Sequence, residues 1–252
     1  MPVTYESRAG AARIVLDEPA RRNALSPALL DDLAAALARA AVDVTVRSVV
    51  LSHTGPTFCA GADLSAAEGS DMAEAAGRFI SVLRAVVACP KPVIAAVDGS
   101  VRAGGVGLAA ACDIVVASRG SSFGTTETRI GVAPAMIALT VLPRMDARAA
   151  SRHLLLGDVY SAADALRYGL VTEVTEGTVD PTTRAEELAD QLLRCSPQGL
   201  RETKALLTAD ILARFDHDGA ELSRLSASLF SSPEAKEGMH AFLEKRAPAW
   251  MP

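Results

Sequence analysis

Short β-rich apolar runs recur at Arg13–Asp17, Val46–Ser52, Pro92–Asp98, Asp113–Ser118 and Leu170–Val174, several of them without the polar alternation of a half-exposed strand. Strands that read this way are covered on both faces, which requires helices above and below a largely parallel sheet. The intervening segments supply them. Ser26 as N-cap and Pro27 at the first helical position lead into Leu29, Leu30, Leu33 and Leu37 along one stripe. Alternating strands and helices define an α/β fold. Only 4% of residues are aromatic while 50% are hydrophobic, so the core must be closely packed Ala, Val, Leu and Ile. After about Thr182 the strand signal stops. Successive helices follow, the last opening at Ser232-Pro233 with Ala235, Met239, Phe242 and Leu243 expected on its apolar face. Two regions are expected, 1–181 and a helical 182–252 that docks on the core or on other subunits.

Several functional classes are disfavoured by what the chain carries. The net charge of −5, with acids and bases interspersed, leaves no footprint for nucleic acid or an anionic membrane. No basic n-region with an apolar h-region opens the sequence and no long uncharged apolar stretch interrupts it, so a cytoplasmic location is expected. Cys59, Cys89, Cys112 and Cys195 form no CxxC pair, so no metal site is expected and the thiols should be reduced and buried. No GxSxG occurs, and His53, His153, His217 and His240 sit in no recognisable triad context. Gly105-Val106-Gly107-Leu108-Ala109-Ala110 fits G-x-G-x-x-A after a strand, but the next strand ends at Ser118-Arg119 rather than at an acid for a ribose, which argues against a nucleotide-dependent oxidoreductase.

Two segments point to chemistry. Pro56-Thr57-Phe58-Cys59-Ala60-Gly61-Ala62-Asp63-Leu64 packs small residues into a turn after a buried strand. The strand Lys91–Gly99 leads through Arg102-Ala103-Gly104-Gly105-Val106-Gly107 into the helix-like Leu108–Ala111. A glycine turn at a helix start presents free backbone N–H groups at the positive end of the macrodipole. Two such turns facing each other form an oxyanion hole, each donor contributing roughly 3 kcal/mol to a developing anion.

These residues resemble the two signature loops of the enoyl-CoA hydratase/isomerase (crotonase) family, through FCAGADL and KPVIAAVDGSVRAGG with LAAACDI. The resemblance implies a spiral of ββα units with a helical C-terminal oligomerisation region, a homotrimer or hexamer, and an acyl-CoA thioester substrate, with coenzyme A as part of that substrate and no further cofactor. It implies that Ala62 and Gly104 give the oxyanion donors. Arg22, Ala24, Ala60 and Ala62 would hold coenzyme A, the first two from a segment, Arg22-Asn23-Ala24-Leu25, that matches the family's RNAL stretch. Phe123–Gly131 resembles the segment of the second catalytic glutamate, which places that role on Glu127. The segment Ser232–Arg246 is similar to the family's last helix, whose Phe242 and Lys245 would reach coenzyme A, often of a neighbouring subunit. Read without the family, Glu127 is a solvated loop acid, Phe242 a core aromatic and Lys245 a solvated lysine.

One departure matters. Family members with two glutamates carry the first where this chain has Gly107. A single acid is shared by Δ3,Δ2-enoyl-CoA isomerases and by hydratases of the methylglutaconyl-CoA type, and Gly131-Val132-Ala133-Pro134-Ala135-Met136-Ile137 is more similar to the latter. Hydration by Glu127 alone is the expected activity; isomerisation, and acyl-CoA binding without catalysis, are the alternatives. Asp63, Glu68, Asp71 or Arg102 would be the candidates to supplement the site, the stretch Ser65–Arg78 would form pocket wall, and glutamate at 107 would restore the missing acid.

Overall fold

A computed structural model describes residues 1–63 and 72–252. Glu68, Asp71 and the start of the Ser65–Arg78 wall therefore lie outside the described residues.

The chain opens with a hairpin of β1 (Val3–Arg8) and β2 (Ala11–Leu16), turned by Ala9 and Gly10, both at positive φ as a type I′ turn demands. After it come α1 (Pro27–Val42), β3 (Ser48–His53), β4 (Thr57–Cys59) and α2 (Met72–Ala88). A similar unit follows as β5 (Val93–Val97), β6 (Ser100–Arg102) and α3 (Gly104–Ala111), and a third begins with β7 (Ile114–Ser118) and β8 (Ser122–Gly124). Each unit gives its long strand to one sheet, ordered β1-β2-β3-β5-β7-β10, and its short strand to another, ordered β4-β6-β8-β9. Here β9 is Val159–Ser161 and β10 is Glu173–Thr175, and the chain thus winds as a spiral of ββα turns. From β2 to β10 the larger sheet is parallel.

The unbroken apolar runs now have a physical account. Val49, Leu51, Val93, Ala95, Val97 and Val115 face the main core, while Val50, Ile94, Ala96 and Val116 face Ala185 and Ala189 of α7 (Pro181–Leu192). The period of two is present, but both faces are dry. The last expected strand is displaced: Leu170 and Val171 are buried in the approach to β10 rather than in it.

The first helix forms as its sequence dictates, with Ser26 Oγ accepting from Leu29 N–H and the leucine stripe buried. Between β8 and α7 lie α4 (Ala138–Val141), α5 (Ala147–Leu156) and α6 (Ala162–Arg167). The C-terminal helices dock on the core of the same chain. Ile211 and Phe215 of α8 (Pro197–Phe230) enter the main cluster. Lys204 on the same helix is buried, pairs with Asp113 at 2.7 Å, and donates to the carbonyls of Val86 and Lys91.

Helix α9 (Pro233–Glu244) differs from expectation. Ala235, Gly238 and Ala241 are its buried residues, whereas Met239 is half-buried and Phe242 and Leu243 are about half exposed. The reason is close approach: a Cβ on Gly238 would stand 2.5 Å from the Ile130 carbonyl, so only small residues fit this face. Cys59, Cys89 and Cys112 are buried thiols as expected; Cys195, just past α7, is exposed.

Candidate active site

The first turn is pinned from the N-terminal side. Arg22 and Asn23 both sit at positive φ, and the Asn23 side chain is fully buried. Its Nδ2 donates to the carbonyls of Thr54 and Thr57, and its Oδ1 accepts from Glu18 N–H. Asparagine tolerates the left-handed region and hydrogen-bonds backbone, so one residue sets both the bend and the attachment. Leu25 N–H then donates to Gly61 at 2.9 Å, and Ala60 N–H to Arg22 at 3.1 Å. The position stood inside the quoted motif, but these long-range bonds gave no pattern to read.

The second turn meets the first at van der Waals contact. A Cβ on Gly61, whose φ is +87°, would stand 3.3 Å from Gly104 N and 2.8 Å from Ala103 Cβ. Ala103, capping α3, holds φ 47° and ψ −119°, a strained conformation for a residue with a side chain and one that persists only where its surroundings enforce it. Gly105 is needed for the same approach, because its Cβ would stand 2.6 Å from the Cys59 carbonyl oxygen. Among the described residues neither Ala62 N–H nor Gly104 N–H donates a hydrogen bond within the chain. Both residues line one cavity of about 1120 Å³.

Glu127 lines that cavity as well. It opens a 3₁₀ turn, Glu127–Ile130, that ends on Gly131 at φ +78°. The turn is held against α9, where Gly131 abuts the Glu234 backbone and Gly238 the Ile130 carbonyl. Glu127 is therefore buried rather than solvated, 8% exposed, and its Oε2 has no hydrogen-bond partner among the described residues. Burial pushes its carboxyl up to about 7, with its own backbone N–H opposing weakly.

At position 107 no carboxylate fits. A Cβ on Gly107 would lie 2.4 Å from Ile137 Cγ2 and 2.8 Å from Ile137 Cβ, so isoleucine occupies the space that a glutamate at 107 would enter. The Gly105–Gly107 pair is thus spent on packing against Cys59 and Ile137, which removes it as a phosphate cradle. Of the other acids, Asp63 lines the cavity and pairs with Arg21. Arg102 also lines it, half-buried, but its guanidinium is committed to Val101 and Ser122.

The cavity brings Arg22, Ala24, Ala60 and Ala62 together with Gly104, Glu127 and Phe242. Lys245 is not in its lining; it caps α9 at φ 55° and is exposed. Further walls that the sequence reading did not single out are Phe79, Met136, Phe230 and Trp250. Trp250 is carried by a tail clamped to α9, where Glu237 accepts from Ala249 N–H and pairs with Arg246. Nothing in the pattern of that tail marks a fold-back.

The sequence profile described as enoyl-CoA hydratase/isomerase matches residues 6–252. The chain belongs to the enoyl-CoA hydratase/isomerase family. It is an enzyme of that family, whose members act on acyl-CoA thioesters. A crystal structure of an enoyl-CoA hydratase from Mycobacterium avium is 50% identical and superposes with a TM-score of 0.91, covering 99% of this chain and 98% of the other. A carnitinyl-CoA hydratase structure from the same organism is 31% identical, with a TM-score of 0.85 and coverage of 99% and 98%. The (E)-benzylidenesuccinyl-CoA hydratase of Thauera aromatica is 34% identical over 256 residues, covering 99% of each chain. The fold of this enoyl-CoA hydratase/isomerase family member is thus the crotonase-type α/β spiral with a C-terminal helical region.

Proposed function

We propose that this enzyme adds water reversibly across the double bond of a 2-enoyl-CoA, with Glu127 as its only acid/base. The observation that carries the reading is a buried, unpartnered carboxylate in the same cavity as two unused backbone donors. The thioester oxygen sits between Ala62 N–H and Gly104 N–H. Glu127 takes a proton from water as its oxygen bonds C3, and the displaced π pair becomes an enolate whose charge rests on the thioester oxygen. Glu127 then returns that proton to C2, which completes the addition. A carboxyl with its midpoint at about 7 holds both forms near neutral pH, as a group that must accept and then donate requires. Arg22, Ala24 and Ala60 hold coenzyme A by backbone and stem contacts; Phe242 and Lys245 close over it, the latter in a neighbouring subunit of a homotrimer or hexamer. We place the enzyme in the cytoplasm.

Isomerisation of a 3-enoyl-CoA is the second reading. It is favoured by Ile137, which lines the wall opposite the missing acid with hydrocarbon rather than with a group to hold water. Hydration is preferred because the benzylidenesuccinyl-CoA and carnitinyl-CoA relatives are both named hydratases. Incubation with straight, branched and dicarboxylic enoyl-CoAs, followed by mass analysis, decides between them. Hydration requires product heavier by one water; isobaric product with a moved double bond supports isomerisation. Binding across the panel without turnover overturns both.

A further inference from the structure

Behind Glu127 stands a group of side chains that the reaction above does not use. His153 on α5, Asp158 in the following loop and Tyr160 on β9 are absent from the cavity lining. His153 and Tyr160 are 2% and 5% exposed, and their rings lie 4.4 Å apart between centroids. His153 Nδ1 lies 2.5 Å from Asp158 Oδ1, and the His153 carbonyl accepts from Thr125 Oγ1, on the strand exit that leads to Glu127. The charged and titratable groups acting on the Tyr160 hydroxyl are Asp158, Glu127, Arg102 and Tyr168; Asp164 faces His153. Burial first, then Asp158 and Glu127, push the phenol well above its ordinary range, so it remains an O–H donor.

Among the described residues, three buried atoms in this cluster have no partner: Glu127 Oε2, Tyr160 OH and His153 Nε2. Their chemistry is complementary. With Nδ1–H given to Asp158, His153 Nε2 is an acceptor; Glu127 Oε2 is an acceptor when ionised; Tyr160 O–H is a donor. A bridge that accepts from Tyr160 and donates to the other two would satisfy all three, and buried polar atoms in native proteins are rarely left unpaired.

We propose that Tyr160, backed by the His153–Asp158 pair, is a positioning residue that holds Glu127 through such a hydrogen-bonded bridge and favours its ionised form. The bridge opposes the burial that raises Glu127, so its removal must raise Glu127 further. The inference rests on Glu127 as the acid/base, and its test is chosen to stand apart from that reading. Tyr160→Phe removes only the hydroxyl. The Glu127 carboxyl is titrated by carbon-13 NMR in glutamate-labelled protein, with the signal identified by its loss in Glu127→Gln, and no substrate is needed. The midpoint is expected to rise by about one pH unit, the scale of a hydrogen bond to a charged group. The acid limb of kcat/KM should follow, with a roughly tenfold loss at pH 6 that disappears by pH 9. His153→Phe, which removes the ring nitrogens and leaves the Asp158 charge in place, should move the midpoint in the same direction and less, and it serves if the Tyr160 variant fails to fold. An unmoved or lowered midpoint overturns the inference whatever reaction the enzyme performs, whereas a raised midpoint with no hydration product leaves it standing and removes only the hydratase reading.

Discussion

The two ends of the reacting centre are made of different material. At the proposed oxyanion end the donors are the unused backbone N–H groups of Ala62 and Gly104, set by glycines that let two turns touch. At the proposed acid/base end the work falls to one side chain, Glu127, whose proton affinity is set by what buries it. A backbone donor needs no tuning once its turn is in place, while a carboxylate is only as useful as its environment makes it. The first end is therefore broken by geometry and the second by electrostatics.

Prising the turns apart should break the first end outright. In Gly105→Ala the new Cβ meets the Cys59 carbonyl oxygen at 2.6 Å, and a carbonyl oxygen of the neighbouring turn cannot rotate away as a flexible side chain does. Turnover should fall about 10²–10³-fold, the cost of losing one such donor. Circular dichroism checks that the chain still folds, and retained turnover in a folded variant would separate Gly105 from the oxyanion geometry.

The acid/base end should show itself in stability. The folded midpoint of Glu127 is raised from 4.5 to about 7, so ionising it penalises the folded state. Below pH 4.5 both folded and unfolded chains are protonated there and no penalty exists; it grows as pH rises and is complete above about 7. Glu127→Gln should then be more stable than the parent by about 3 kcal/mol at pH 8, with the gain vanishing near pH 4. Denaturant unfolding at the two pH values measures it. Equal stability at pH 8 would mean that the carboxylate is already compensated in the folded enzyme.

The smallest effect concerns the position that most distinguishes this chain by sequence. Gly107→Glu looks like the repair of a missing acid, but its Cβ would run into Ile137. Gly107→Ala alone should cost about 1–3 kcal/mol by overpacking, and Gly107→Glu should lower Tm without raising hydration. Increased hydration of crotonyl-CoA by Gly107→Glu would show that Ile137 yields.

This contrast also explains what could be read from the chain. Contiguous signals were legible: the Ser26-Pro27 cap, the buried strands and the glycine turns. The second sheet was not, because β4, β6, β8 and β9 are three residues each, too short for periodicity to register. Long-range features left no trace either. Asn23 acts through bonds to Thr54 and Thr57, Glu127 is buried because α9 closes on its turn, and Ile137 meets Gly107 from far along the chain. Family resemblance supplied the Glu127 role; its environment came only from packing.

The most direct test of the central claim is turnover of a verified enoyl-CoA substrate by Glu127→Gln, with coenzyme A affinity measured alongside. The account predicts a loss of about 10²–10⁴-fold in kcat with affinity almost unchanged, the worth of general acid–base help from a single carboxylate. Undiminished turnover would contradict it and remove Glu127 from the mechanism.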